Sequence, residues 1–404
     1  MADVIRRGTI ALAAALALAA SSAQAAQAPL QLVLARALVV PHISAARSAA
    51  LAVDLATGGA VFSANEQLPL APASNEKLAI TYAVLVELGP AFRIETAVLG
   101  EGRQRGGAWN GDLVLKGYGD PTLGSGGLKR LAAQLRATGI RRVTGLIVGD
   151  ETFFDTHRVA PGWKYRFYMD ESPPLSALSV DRGRYQGRVD RSPAYAAATS
   201  FAEVLRGAGI AVGHGIDVRG ASATALPLAR ITSAPLAKIV RFMDKDSDNF
   251  TAELLLKQLG ALASDDGSTA AGAAEVTHVL AAAGVPMAGV RIVDGSGLSR
   301  LDRLTANALV GILRASWDSE DVRPTLVAAL PVAGKNGTLE DRLRRGPAYG
   351  VVRAKTGTTN QASALSGYVG GRYVFAVLQN GHPLPYWWAR VAQDRFVTAL
   401  ASRH

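Results

Sequence analysis

Between residues 48 and 70 apolar positions alternate with small or polar ones on either side of a break. Leu51, Val53 and Leu55 lead into Thr57-Gly58-Gly59, and Val61 and Phe62 follow. Period-two alternation around a Gly-Gly turn predicts a strand pair. After Ser74 the period lengthens: KLAITYAVLVEL reads as a helix that stops at Gly89-Pro90. From residue 94 to about 225, short β-like runs (IETAVLG, GDLVLKG, VTGLIVGD) alternate with glycine-rich turns. Two helices are expected within that stretch, over GGLKRLAAQLRATG and AYAAATSFAEVLRGAGI.

Helical spacing returns near residue 230, in PLAKIVRFMDKDSDNFTAELLLKQLG, GSTAAGAAEVTHVLAAAG and TANALVGILRASW. Three strand-like runs (YGVVRAKTG, ASALSGYVG, RYVFAVLQNG) and a terminal helix, WWARVAQDRFVTALAS, close the chain. Strands at both ends enclosing helices predict one α/β domain with an antiparallel sheet flanked by helices, built from residues 26–93 and 229–404. A β-rich inserted domain, 94–228, interrupts it. At 404 residues the chain is long enough for two cores.

Composition narrows the chemistry. There is no cysteine, which excludes disulfides, thiol nucleophiles and Cys-ligated zinc. The six histidines are scattered without metal-ligand spacing, so neither a metal nor another cofactor is expected. Arg6 and Arg7, then TIALAAALALAA, then AQA ending at Ala25 read as an export signal over residues 1–25. Its apolar run is shorter than the roughly 20 residues that span a bilayer. The expected mature protein is therefore exported, periplasmic or extracytoplasmic, with no transmembrane anchor. The formal charge of +10 favours anionic partners. Export makes nucleic acid the least suitable of these and a cell-wall polymer more so.

The residues able to do chemistry begin with Ser74. A serine before an apolar periodic run is commonly a helix cap, but a capping box has Glu or Gln three residues on, where this chain has Lys77. Positions i and i+3 share a helix face, so hydroxyl and amine can meet. The positive helix end and partial burial would both lower the lysine pKa toward a usable base. Ser247 and Asn249 in DKDSDNFTAE can face one cleft across a short turn, or belong to an N-cap cluster. Lys355, Thr356 and Gly357 in RAKTGTTN place a cation, a hydroxyl and a close-approach glycine at a strand end, or a surface lysine beside a turn. Alone each is weak. In this order, S-x-x-K, S-D-N and K-T-G form the signature of class A β-lactamases and penicillin-binding proteins.

With these motifs the chain resembles the class C low-molecular-mass penicillin-binding proteins, the D-alanyl-D-alanine carboxypeptidase/endopeptidase family. The resemblance extends to GYGDPTL, PPLSALSVD, VDGSGLSRLDRLT, GKNGTLEDRL and AKTGTTNQASALSGYV. It departs where SALSVDRGRY runs almost directly into SPAYAAATS; longer members carry a further small domain there. The resemblance implies a serine DD-peptidase acting on peptidoglycan stem peptides and acylated by β-lactam antibiotics. Ser74 would be the nucleophile, Lys77 its base, Ser247 and Lys355 a proton relay, and Asn249 an orienting group. Lys355 and Thr356 would hold the terminal carboxylate, and the N–H groups of Ser74 and Thr358 the oxyanion. Asp120 would meet the ammonium of a diaminopimelate side chain and Arg300 its carboxylate; an Asp-Pro turn and a surface ion pair are the alternatives. A β-lactamase would differ mainly in fast deacylation, and no Glu-x-x-x-Asn segment lies between the first two motifs. A wall-binding protein without activity would show a broken motif, and none is broken.

Overall fold

β1 (Ser48–Asp54) sends Ala49, Leu51 and Val53 into one apolar cluster and Ala50 and Ala52 into another. This is the two-sided division a strand imposes when both faces of its sheet are covered. The computed structural model describes residues 29–213 and 215–404; the expected signal segment lies outside the described residues. β1 pairs antiparallel with β2 (Ala60–Ala64). The turn between them is closed by Asp54, whose Oδ1 accepts the N–H groups of Ala56 and Thr57 at 2.9 and 3.2 Å. A 3₁₀ turn, Ala73–Glu76, then runs straight into α1 (Lys77–Leu88). Every residue of α1 from Lys77 to Leu85 is buried. That explains why its sequence is apolar all round, as a central helix requires.

The inserted unit follows. β3 (Glu95–Arg105) and β4 (Ala108–Gly117) form an antiparallel hairpin. α2 (Ser125–Ala137) then crosses over to β5 (Arg142–Val143) and β6 (Ile147–Asp150), both parallel to β4. α3 (Pro193–Gly207) crosses again to β7 (Ile216–Val218), parallel to β6. Leu128, Leu131 and Leu135 of α2 and Phe201 and Leu205 of α3 pack with Leu113, Leu115 and Ile147 of the sheet. β8 (Leu226–Thr232) completes it, pairing Thr232 with Glu95. The expected boundary at 228 therefore needs correcting: it falls inside β8, whose ladder with β3 holds the chain in this unit to Thr232. The join between SALSVDRGRY and SPAYAAATS carries only a small hairpin, in which Arg184–Tyr185 at the end of the first segment pair with Arg188–Val189.

The chain returns to the first domain through α4 (Leu236–Asp246), α5 (Asn249–Ser264), α6 (Thr269–Ala282) and α7 (Ala306–Asp318). β9 (Val352–Thr358), β10 (Ala362–Val369) and β11 (Tyr373–Asn380) form the expected meander, and α8 (Tyr386–Ala401) ends the fold. The sheet runs β9-β10-β11-β1-β2, with each adjacent pair antiparallel. One face packs on α1 and α4 to α7; the other is covered by residues 29–38 and α8. β9 is an edge strand, so its free side faces the α1 and α4–α5 ends. Among the described residues no helix is long and apolar enough to cross a membrane.

Candidate active site

Ser74 sits half-buried in the 3₁₀ turn, and α1 begins only at Lys77. No side chain caps either element, so the Ser74 hydroxyl is not spent on the helix. Ala73 holds φ +48°, a left-handed conformation that costs a non-glycine residue about 1–2 kcal/mol. The turn persists because it is wedged. A side chain on Gly297 would collide with the Ala73 carbonyl, and one on Gly357 with Pro72 O, Ala73 Cβ and Ser74 N. The missing side chain of Gly357 makes room for the chain's own serine turn. Asn75 stitches the same contact, donating from Nδ2 to Lys355 O at 3.0 Å.

Lys77 is fully buried, and its Nζ reaches Ser74 Oγ at 3.1 Å, Asn249 Oδ1 at 2.9 Å and Ser296 O at 2.7 Å. Three partners match the three donors of an ammonium. A neutral amine keeps the bonds to Asn249 and Ser296 and turns its lone pair to the Ser74 hydroxyl. Burial lowers the Lys77 pKa to about 8, against the opposing pull of Asp294, Asp248, Glu253 and Asp244.

The second motif is a junction between helices. Ser247 terminates α4 with φ +57°, Asp248 caps α5 by accepting Thr251 N–H at 2.8 Å, and Asn249 opens α5. Both anticipated roles of this segment coexist, because capping falls to Asp248 and leaves its neighbours free. Asn249 also donates to Glu171 O at 3.0 Å. Lys355 is buried rather than a surface lysine, and its Nζ donates to Ser247 Oγ at 2.8 Å and Thr356 O at 2.9 Å. Burial and the Lys77 charge lower its pKa to about 7, with Asp244 acting the other way. Thr356 Oγ1 lies 2.7 Å from Thr338 Oγ1. Along β9, Ala354 sends its N–H off the free edge to Pro331 O. Antiparallel alternation turns the N–H of Thr356 and of Thr358 the same way, toward the cleft.

Beneath the serine lies a floor of buried carboxyls: Glu76, Glu253, Asp294 and Asp302. Asp294 accepts from Gly297 N, Ser299 N and Trp163 Nε1, each at 2.7 Å. Glu253 Oε1 accepts from Gly295 N at 3.1 Å and Ser296 N at 2.8 Å, and Asp302 Oδ1 from Val293 N at 2.8 Å. These bonds shape the loop whose Ser296 carbonyl holds Lys77. Burial and the Asp294 charge raise Glu253 to about 8 and Asp302 to about 12; burial, then Asp294 and Glu253, hold Glu76 well above the usual range.

Ser74, Lys77, Ser247, Asn249, Lys355, Thr356 and Gly357 therefore meet in one cleft, with Thr358 on its edge. Asp120 does not join them at the cavity beside the serine turn. Its Oδ1 accepts Thr122 N–H at 2.8 Å and Thr122 Oγ1 at 2.6 Å, the local turn that is its alternative reading. It lines a separate cavity with Thr122, Arg130 and Thr232. Arg300 is exposed and lines the cavity adjoining Ala73. Residue types and spacing do not single out Asn75, Thr338, Ser296 or the carboxyl floor. The segments DGSG and GKNGT are visible in the sequence, but a backbone carbonyl as a ligand leaves no residue-type signal.

The sequence profile described as the D-Ala-D-Ala carboxypeptidase 3 (S13) family matches residues 30–194 and 188–397. The two stretches overlap over 188–194, beginning on the second strand of the small hairpin. A D-alanyl-D-alanine carboxypeptidase of Actinomadura sp. (strain R39) is 32% identical over 448 aligned positions, covering 89% of this chain and 82% of that protein. In fold, the chain is similar to penicillin binding protein 4 of Haemophilus influenzae, with TM-score 0.81, 23% identity and coverage of 91% and 98%. A structure of that protein complexed with a β-lactam gives TM-score 0.74 at 22% identity, covering 91% and 98%. By profile, by relative and by the motifs gathered at the cleft, this chain belongs to the D-Ala-D-Ala carboxypeptidase 3 (S13) family.

Proposed function

We infer that Ser74 is the nucleophile of this serine-type D-Ala-D-Ala peptidase and that neutral Lys77 is its base. The observation that carries this reading is the Lys77 Nζ–Ser74 Oγ contact of 3.1 Å in a site that lowers the lysine pKa. Ser74 Oγ attacks the carbonyl between the two terminal D-alanines as Lys77 takes the hydroxyl proton. The oxyanion then faces the N–H groups of Ser74 and Thr358, each donor of this kind being worth about 3 kcal/mol. Ser247 passes a proton to the leaving amine, with Lys355 behind it, and D-alanine departs. Water next attacks the acyl-serine, frees the shortened stem peptide and restores the hydroxyl. Lys355 and Thr356 hold the free carboxylate of the terminal residue, Asn249 orients the substrate amide and Lys77, and Arg300 meets a carboxylate of the stem. A β-lactam enters the same path, because its ring amide offers Ser74 an equivalent carbonyl. Peptidoglycan stem peptides are the substrates, and the expected signal segment supports a mature protein outside the cytoplasm.

Release of D-alanine from a pentapeptide stem, followed for the native chain and for Ser74→Ala, tests the assignment. A fall of at least about 1,000-fold is expected; an unchanged rate would overturn it. A fluorescent penicillin should remain bound to the native protein, whereas rapid loss of label with turnover would mark a β-lactamase.

A further inference from the structure

Exposed apolar residues scattered singly are ordinary, whereas a gathering of them marks a contact surface. Among the described residues the three most exposed aromatic side chains are Tyr165 at 93%, Trp387 at 66% and Tyr386 at 54%. Far apart in the sequence, they stand at one place in the fold. Lys164, next to Tyr165, donates from Nζ to Asn360 Oδ1 at 2.8 Å. Leu384, two residues before Tyr386, donates its N–H to Asn360 O at 3.0 Å. Asn360 thus ties both the Tyr165 segment of the inserted unit and the start of α8 to the turn between β9 and β10. A second tie, Gln361 Nε2 at 2.7 Å from His382 Nδ1, holds the chain that leads into α8. Among the described residues neither Tyr165 nor Trp387 packs on another aromatic ring or under a cation, and Tyr386 has only Arg390 over it, at 5.3 Å.

This aromatic rim lies where the acyl half of a substrate leaves the cleft. Thr358, placed at the oxyanion, ends β9, and the turn that carries Asn360 follows directly. Below the rim a cavity of about 250 Å³ opens beside the Ser74 turn, with Thr359, Asn360, Lys164 and His382 in its lining. That volume is below the roughly 300–1,000 Å³ that encloses a drug-sized ligand. It therefore takes part of the acyl half of a stem, and the remainder continues over the rim. From the scissile carbonyl a stem runs through four residues, on the order of 13 Å when extended, to the sugar that joins it to the wall. Its last two residues before that sugar, a γ-linked glutamate and an alanine, offer an aromatic ring little apolar surface. A pyranose offers more, because its axial C–H bonds form a flat, slightly positive face that suits the negative face of an aromatic ring.

We propose that Tyr165, Tyr386 and Trp387 form a platform for the glycan, binding the N-acetylhexosamine disaccharide that carries the stem. The inference rests on the DD-peptidase reading above. Stems still attached to their sugars are then better substrates than stems released from them. None of the three aromatic residues lines the cavity at the Ser74 turn, so the gain falls on KM and leaves kcat unchanged.

Two soluble substrates separate the possibilities: a pentapeptide stem alone, and the same stem on its disaccharide. With D-alanine release as readout, kcat/KM should favour the disaccharide form by about tenfold, through KM. The ratio should hold as salt rises, because the sugar faces carry no charge to screen. Replacing both Tyr165→Ala and Trp387→Ala should bring the ratio to about one while kcat/KM for the free pentapeptide stays at its native value. Should that variant fail to fold, the comparison on the native protein still decides. Equal kcat/KM for the two substrates, or a preference that survives in the double variant, would overturn the inference while leaving the peptidase assignment intact. Equal kcat/KM together with binding to anionic phospholipid vesicles that the double variant loses would assign the aromatic residues to a membrane surface instead. No release from either substrate, together with no penicillin adduct, would overturn the peptidase reading.

Discussion

Lys77 is buried to its last atom, yet every hydrogen-bonding position on its amine has a partner. That combination explains how a lysine can work as a base near neutrality: burial opposes the charge, and the neutral amine keeps two donor bonds and accepts the third from the Ser74 hydroxyl. With Lys77 near 8 and Lys355 near 7, the two amines shed a proton between them over that range. The sign follows directly. A base must be unprotonated, so kcat/KM for acylation by a penicillin should climb as pH rises through about 7 to 8. Stopped-flow acylation from pH 5.5 to 9 checks this, and a flat profile would remove Lys77 from the role. At this scale the amino-acid sequence is most informative. A lysine that is wrong for a cap, followed by two motifs in order, points to the residues that meet in the cleft. Asp120 shows the limit: its residue type suits both a ligand and an Asx turn, and Thr122 engages Oδ1 of its carboxylate.

Among elements, the α4–α5 junction carries the most information. Ser247 occupies the left-handed position that ends α4, at φ +57°, where glycine or asparagine is the usual resident. A serine there is explained by its hydroxyl, which accepts from Lys355 Nζ. Ser247→Gly should therefore stabilise the protein by about 0.5–1 kcal/mol in thermal unfolding while lowering peptidase kcat on the order of 100-fold. Loss of both stability and activity would show that the hydroxyl holds the junction together as well. Helices and strands with clear periods, from β1 to the closing meander, are legible in the residue pattern alone. The start and end of β8 are not, because its LPLARIT run is fixed by pairing with β3 across more than a hundred residues. The carboxyl floor is also invisible there, since its four members come from α1's approach, α5 and one loop.

Across the whole molecule, the inserted unit braces the cleft. Arg182 pairs with Asp248 through Nη1 at 3.1 Å and Nη2 at 2.7 Å, and Trp163 reaches Asp294. Both contacts cross from the insert to the two walls of the site. Arg182→Ala should cost about 1–2 kcal/mol of stability and lower kcat/KM about tenfold without touching substrate. Wild-type kinetics in that variant would show that the cap on α5 holds alone. Glu253 supplies a second global handle. Its folded pKa, about 8, lies above the ordinary carboxylate value, so the folded state binds its proton more tightly than the unfolded chain. The stability this confers is present at pH 4 and is lost as pH rises through about 8. Glu253→Gln keeps an acceptor for the Gly295 and Ser296 N–H groups and should flatten the melting temperature between pH 5 and 9. An unchanged slope would place the titration elsewhere.

The most direct test of the serine mechanism is peptide mapping by mass spectrometry after incubation with a penicillin. The protein should gain the mass of one ring-opened penicillin, and the modified residue should be Ser74, with no adduct in Ser74→Ala. An adduct mapped to Ser247 or to any other residue, or one that persists in Ser74→Ala, would contradict it.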